Sequence, residues 1–187
     1  MKILIFNWHE AYIYLLAKTG HTFHICPPMS PPGDQTLHVA GREAWDRTQR
    51  PLPARSIEIS RNEAREWKDG YDLITCLAPF DVQATLGWGR PMLFIQLNMI
   101  GTDMMIEDPD ELKEATHYLT KVFNEMPHLS AAFISEKKKA NWPGMEQWPV
   151  VKSGIDPGDF EGSWDGCKKA VLTVGNMLAE RDRMQGW

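Results

Sequence analysis

Short apolar runs separated by helix-like segments are the feature that most constrains how this chain can fold. The runs lie at 3–6, 22–26, 56–59, 71–77, 92–97, 131–134, 149–152 and 170–174. Most are continuously apolar rather than alternating, which is typical of strands in a parallel sheet that is covered on both faces. The first two runs flank one short helical segment, and such a strand–helix–strand unit has parallel strands. The sequence therefore predicts an α/β fold with a parallel sheet between two layers of helices.

Helix-start signals precede several of the intervening segments. Helices are expected over 9–18, 60–70, 79–86 and 108–126, and from Ser135 through the three lysines at 137–139. The start at Asp108-Pro109 is the clearest, because an Asp cap and a proline in the first turn both favour a helix N-terminus. Behind it, one apolar stripe is predicted to face the core: Leu112, Ala115, Leu119, Val122, Phe123 and Met126. Residues 27–55 contain six prolines and predict a long connection without regular structure.

The net charge and the cysteines indicate which partners and which cellular compartment suit this chain. With 20 basic and 25 acidic side chains the net charge is −5, which argues against a general nucleic-acid-binding surface. Cys26, Cys76 and Cys167 are widely spaced and predict free thiols in a reducing compartment. No apolar stretch reaches the ~18 residues of a membrane-spanning helix, and the N-terminus lacks the apolar run of a signal peptide. We expect a cytoplasmic protein, with peripheral contact at the inner membrane surface left open.

The residues that follow each apolar run are the candidates for a site, because ligands of open parallel sheets bind at the carboxyl ends of the strands. These segments are 7–10, 78–80, 96–98, 135–136, 153–156 and 175–176. The first strand–helix turn has no GxGxxG, and the chain has no GxxxxGK[ST], GxSxG or HExxH. A dinucleotide cofactor, a P-loop nucleotide, a hydrolase serine and a zinc-protease site are therefore not predicted.

Two interpretations stay open for several of these side chains. His9 and Glu10 either contact a ligand or serve only as a helix cap and an acid at the positive end of the helix dipole. Trp8, and after it Trp45, are candidates for the flat apolar face on which sugar rings stack. Lys137–Lys139 form either a solvated helix face or a contact for an anionic acceptor or membrane surface.

Three motifs follow one another in the last third of the chain. They are Phe133-Ile-Ser-Glu-Lys137, Val150-Val-Lys-Ser-Gly-Ile-Asp-Pro-Gly-Asp-Phe160 and Ala170-Val-Leu-Thr-Val-Gly-Asn176. The series resembles the junction between the two domains of GT-B-fold glycosyltransferases, and family 4 in particular. The resemblance implies a Rossmann-like acceptor-side domain at 1–152, an interdomain linker at 153–169, and the first strand and loop of a truncated donor-binding domain at 170–187.

The resemblance also implies a function. The expected enzyme is a retaining hexosyltransferase that uses a nucleotide-sugar donor, needs neither cofactor nor metal ion, and acts on a surface polysaccharide or glycolipid. The implied acceptor-binding residues are Trp8, His9, Glu10, Asn98, Ser135 and Glu136. The implied donor-phosphate residues are Gly175, Asn176, Arg181 and Arg183. Because this chain would hold only the start of the donor-binding domain, we expect these 187 residues alone to be inactive.

A non-catalytic Rossmann-like module that binds a ligand or a protein partner is the alternative from a different class. A reading frame that continues past Trp187 for a second domain of roughly 150–200 residues would favour the enzyme. A flavodoxin-like protein is a weaker alternative, because the first turn lacks a phosphate-binding pattern. The apolar residues of 170–187 are expected to dock on the sheet or to mediate self-association.

Overall fold

A computed structural model describes residues 1–29, 44–97, 106 and 108–152. The strands of this part of the chain are β1 (Lys2–Phe6), β2 (Thr22–Cys26), β3 (Ser56–Glu58), β4 (Leu73–Cys76), β5 (Met92–Gln96) and β6 (Leu129–Phe133). They form one sheet in the order β3-β2-β1-β4-β5-β6, and every neighbouring pair is parallel. This order is that of a Rossmann-like sheet, which grows outward from β1 in one direction and then from β4 in the other. The predicted parallel α/β fold is confirmed.

Helices pack on both faces of the sheet. They are α1 (Glu10–Ala17), α2 (Arg61–Glu66), α3 (Pro79–Thr85), α4 (Pro109–Glu125) and α5 (Glu136–Lys139), with 3₁₀ turns at Lys68–Gly70 and Leu86–Trp88. Buried residues of α1 pack with one set of strand side chains, and those of α2, α3 and α4 pack with the other set. The two-layer prediction therefore holds. In the described ranges, no helix combines the length and apolar character needed to cross a membrane.

Local capping explains where the helices begin. Asp108 accepts hydrogen bonds from the backbone N–H groups of Asp110 (3.0 Å) and Glu111 (2.9 Å) at the start of α4. At the start of α2, Ser60 Oγ accepts from Glu63 N–H (3.2 Å), and Glu63 Oε2 accepts from Ser60 N–H (2.7 Å). Each cap satisfies backbone donors that the first helical turn leaves without a partner. Both predicted starts are confirmed.

The face that α4 buries differs from the predicted apolar stripe. Its buried residues are Thr116, Leu119, Thr120 and Phe123, whereas Leu112, Val122 and Met126 are only partly buried and pack at the margin. Thr116 tolerates burial because its hydroxyl donates to the carbonyl of Leu112 at 2.7 Å and so keeps a partner inside the helix. A pattern based on apolar residues alone could not include these two threonines.

The chain beyond β6 begins a further parallel pairing. Phe133 N–H donates to the Pro149 carbonyl at 3.0 Å, and Val151 N–H donates to the Phe133 carbonyl at 2.7 Å. The strand predicted at 149–152 therefore exists as a single bridge beside β6. The strand predicted at 170–174, the linker and the start of the second domain lie outside the described residues, as does Cys167.

The end of the long connection between β2 and β3 is ordered against the sheet. Trp45 is buried in the core of the α1 face. Its N–H donates to Glu58 Oε1 at 2.7 Å, and its indole Nε1–H donates to the Arg50 carbonyl at 3.1 Å. With only 4% of its surface exposed, Trp45 anchors the connection and cannot offer a face to a sugar, which corrects that expectation.

Two aromatic rings, the buried Tyr71 and the exposed Trp67, flank the buried His24 of β2 on the face covered by α2. The rings of Trp67 and Tyr71 meet the imidazole edge-to-face at centroid distances of 5.6 and 5.5 Å. Lys2 Nζ lies 5.7 and 5.5 Å from the same two ring centroids. Burial, and then the positive charge of Lys2, lower the pKa of His24 below its ordinary value of 6.5.

Replacing His24 with Phe is expected to reduce the pH dependence of stability. Because the folded-state pKa is depressed, the unfolded chain binds more protons once the pH falls below 6.5. The part of the stability that depends on neutral His24 is therefore fully present above pH 6.5. It declines as the pH falls towards the pKa that His24 has in the folded state. Urea denaturation between about pH 7.5 and about pH 5 should show a shallower decline for His24→Phe than for wild type. The exposed His117→Gln serves as the control, and equal slopes for all three proteins would contradict the prediction.

Candidate functional site

The topological switch point of the sheet lies between β1 and β4, where the two loops after these strands lead to opposite faces. Asn7 and Trp8 follow β1, and Leu77 and Ala78 follow β4. Asn7 N–H donates to the Cys26 carbonyl at 2.8 Å, which fixes the first loop to the neighbouring strand β2. In open α/β sheets this crevice is where ligands bind, so the segment 7–10 lies where the sequence predicted a site.

Asp81 joins the two loops across the switch point. Its carboxylate is fully buried, and Oδ2 accepts from the N–H groups of Leu77 (3.0 Å) and Ala78 (3.1 Å). Oδ1 accepts from the indole Nε1–H of Trp8 at 2.8 Å. The ring of Trp8 is therefore held in one orientation and remains partly exposed at the edge of the sheet.

His9 and Glu10 stand at the start of α1. His9 is exposed, and its Nδ1 accepts from Tyr12 N–H at 3.3 Å, so it caps the helix. Glu10 is buried, and its Oε1 accepts from Asp46 N–H at 2.8 Å, which ties α1 to the ordered end of the long connection. Both side chains thus have the local roles that the sequence left open beside a ligand role.

Ser135 and Glu136 follow β6 at the same edge. Ser135 Oγ accepts from Lys138 N–H at 3.2 Å and caps α5, as its position predicted, and Glu136 is exposed. Lys138 Nζ donates to the Leu97 carbonyl at the end of β5, so one of the three lysines braces the edge. The lysine segment is therefore not wholly a solvated face.

The predicted acceptor residues form two groups rather than one. Trp8 lies at the end of β1 and Ser135 at the end of β6, three strand spacings apart in the sheet, or about 14 Å. A single sugar ring cannot contact both groups, whereas an extended glycan or glycolipid could. Asn98 and the donor-phosphate residues Gly175, Asn176, Arg181 and Arg183 lie outside the described residues.

The chemistry available at the switch point is that of binding by hydrogen bonds and an aromatic face. Within the ranges that the structure describes, no group of three or more His, Cys, Asp or Glu side chains is arranged to hold a metal ion. Among the described residues, Cys26 and Cys76 are buried thiols outside any disulfide, as the sequence predicted for their oxidation state. Burial, and then the charge of Asp81, raise the pKa of the Cys76 thiol well above its ordinary value, so this sulfur stays protonated and is a poor nucleophile.

Sequence reasoning missed two buried polar residues at this site, Asn7 and Asp81. Asp81 lies in the first turn of a short helix that begins with a proline, where an acid is common, and nothing local indicates a partner 73 residues earlier. Asn7 stood inside a candidate segment, but its burial depends on how β1, β2 and β4 pack around it.

The sheet order and the contacts between the loops after β1 and β4 define the class of protein. It is an α/β protein with a Rossmann-like parallel sheet and a candidate ligand site at the switch point. No protein-family model matches the chain, and no curated protein matches its sequence at a significant level. The likeness to family 4 glycosyltransferases therefore rests on the motif series in the sequence.

Trp8→Phe and Asp81→Asn are expected to be energetically coupled. Asp81→Asn places an NH₂ group against an N–H donor and should lower the free energy of unfolding by about 2–4 kcal/mol. Trp8→Phe removes the donor to Oδ1, so the double variant should lose less than the two single losses combined, by about 1 kcal/mol. Urea denaturation of the four proteins measures this, with the exposed Asp69→Asn as a variant that should change little. Additive losses would contradict the coupling.

Glu10→Ala is expected to loosen residues 44–50. The variant removes the acceptor for Asp46 N–H, so trypsin should cleave after Arg47 faster than in wild type. Glu10→Gln keeps an acceptor oxygen and should be cleaved at the wild-type rate. If Glu10→Ala is cleaved no faster, the anchoring of Trp45 alone holds the segment.

Proposed function

We propose that this chain is the acceptor-side half of a retaining, nucleotide-sugar-dependent glycosyltransferase that acts on a surface polysaccharide or glycolipid. The observation that carries the proposal is the position of the first junction motif. Phe133 ends β6, Ser135 caps the helix that follows, and the chain then pairs again beside β6 at Val150. This succession agrees with what the motif series implies for the end of an acceptor-side domain.

The edge chemistry supports a role in binding an acceptor. Trp8 presents a partly exposed indole whose orientation is fixed by Asp81, and a rigid aromatic face suits the apolar side of a sugar ring. A held acceptor hydroxyl near the reacting carbon gains rate from proximity and orientation. The groups that stabilise the departing diphosphate would come from the donor side, for which Gly175, Asn176, Arg181 and Arg183 are candidates.

A non-catalytic ligand-binding module is the second candidate function. The observation that favours it is that the two buried carboxylates at this edge, Glu10 and Asp81, both accept backbone N–H hydrogen bonds that hold loops together. A group engaged in this way is less suited to transfer protons. Glycosyl transfer by a longer protein that includes this chain and a donor-binding domain would decide for the enzyme, and glycan binding without transfer would decide for the module.

Ligand titration of the 187-residue chain tests the division of labour. We expect no turnover, and nucleotide-sugar binding no tighter than millimolar, roughly −4 kcal/mol, because the base pocket would lie in the other domain. Acceptor-like oligosaccharides should change tryptophan fluorescence and shift the backbone amide signals of residues 8–10. The fluorescence change should be lost in Trp8→Phe and kept in Trp67→Phe, which alters an exposed indole near Lys2 at the opposite edge.

Two results would contradict the proposal. Micromolar binding of a nucleotide-sugar would mean that this chain holds a complete donor site. Amide shifts from oligosaccharides that avoid the loops after β1 and β4 would mean that the switch point is not the acceptor site.

A further inference from the structure

Asn7 carries a buried polar atom that the fold does not use. The side chain is only 3% exposed, and among the residues that the structure describes no hydrogen-bond partner reaches its Oδ1. An unpaired buried carbonyl oxygen destabilises the folded state, and such groups in native proteins call for an explanation. Asn7 N–H donates to the Cys26 carbonyl at 2.8 Å. This backbone hydrogen bond keeps the residue in place although its side-chain oxygen is buried without a partner in the described ranges.

The location of Asn7 distinguishes it from several other buried polar side chains. Ser56 begins β3 at the amino edge of the sheet, Thr120 lies within α4, and Gln96 ends β5 at the carboxyl edge, two strand spacings from β1. Asn7 directly follows β1, where the loops after β1 and β4 diverge and where open α/β sheets bind ligands. In that position, an acceptor oxygen to which no described residue donates a hydrogen bond is suited to a donor group on a bound ligand.

The neighbours of Asn7 cannot easily supply the missing donor. The indole N–H of Trp8, the next residue, already donates to Asp81 Oδ1 at 2.8 Å. The carboxylate of Glu10, three residues further, accepts hydrogen bonds and has no proton to give when ionised.

We propose that Asn7 is a specificity-determining residue, whose Oδ1 accepts a hydrogen bond from a ligand hydroxyl in the switch-point crevice. A carbonyl oxygen only accepts, so this contact selects a donor group and gives nothing to phosphate or carboxylate. That the hydroxyl belongs to a sugar rests on the proposed function. The indole of Trp8 would then contact the apolar side of the same ring, and Asn7 would distinguish hydroxylated from deoxygenated positions.

The Asn7→Leu variant tests whether the Asn7 amide binds a ligand or stabilises the fold. The variant is similar in size and removes the unpaired oxygen, so its urea midpoint should equal or exceed that of wild type. Methyl hexopyranosides, titrated by amide NMR against the full 187-residue chain, should bind roughly fivefold to tenfold more weakly to the variant. Ser56→Ala also removes a buried oxygen that has no partner in the described part of the chain, but at the amino edge of the sheet, so it is the matched control and should bind the glycosides as wild type does.

Monodeoxy methyl hexopyranosides provide a second measurement that uses the wild-type protein. Loss of the hydroxyl that contacts Asn7 should weaken binding to wild type and should have no further effect on Asn7→Leu. Inorganic phosphate should not shift the Asn7 signals.

The outcomes keep this inference distinct from the proposed function. If the glycosides bind near Trp8 but Asn7→Leu binds them equally well, the inference fails and the proposed function stands. If Asn7→Leu unfolds at a lower urea concentration than wild type, the amide is structural and the inference fails. If no glycoside binds while Asn7→Leu is as stable as wild type or more so, the proposed function fails, and the amide is supported as a contact for a hydroxyl on another ligand.

Discussion

One buried carboxylate, that of Asp81, holds the carboxyl edge of the sheet together at the switch point. It accepts from two backbone N–H groups of the loop after β4 and from the indole of Trp8 in the loop after β1. These loops leave the sheet towards opposite faces, so without such a link they would be free to separate. A charged acceptor with several N–H donors gives short, directional bonds, and it fixes the position of Trp8 relative to the loop after β4.

The architecture was predictable because its signals are local. Continuous apolar runs indicate strands that are buried on both faces, and the caps at Ser60 and Asp108 mark helix starts within three residues of sequence. The burial of Thr116 and the anchoring of Trp45 were not predictable, because each depends on a hydrogen bond that satisfies a polar atom in the core. Hydrophobicity alone leaves Thr116 out of the predicted apolar stripe and leaves Trp45 in a long loop.

The candidate site was predictable only in outline. The rule that ligands meet the carboxyl ends of strands identified the segments around Trp8 and Ser135. It could not tell that the sheet order separates those two segments by three strand spacings, because order is a long-range property. Nor could it assign Asn7 or Asp81, whose importance comes from burial and from partners far along the chain.

The two borders of the sheet differ in their capacity to recruit further strands. At one border, β3 has only three residues, and the nearby ion pair between Arg47 and Glu58 adds charge beside it. Such a brief, charged margin is a poor template for another chain and protects against edge-to-edge aggregation. At the other border, β6 already pairs with the backbone around Val150. The polypeptide itself thus covers the carboxyl end of β6, which would otherwise be open to intermolecular β-pairing.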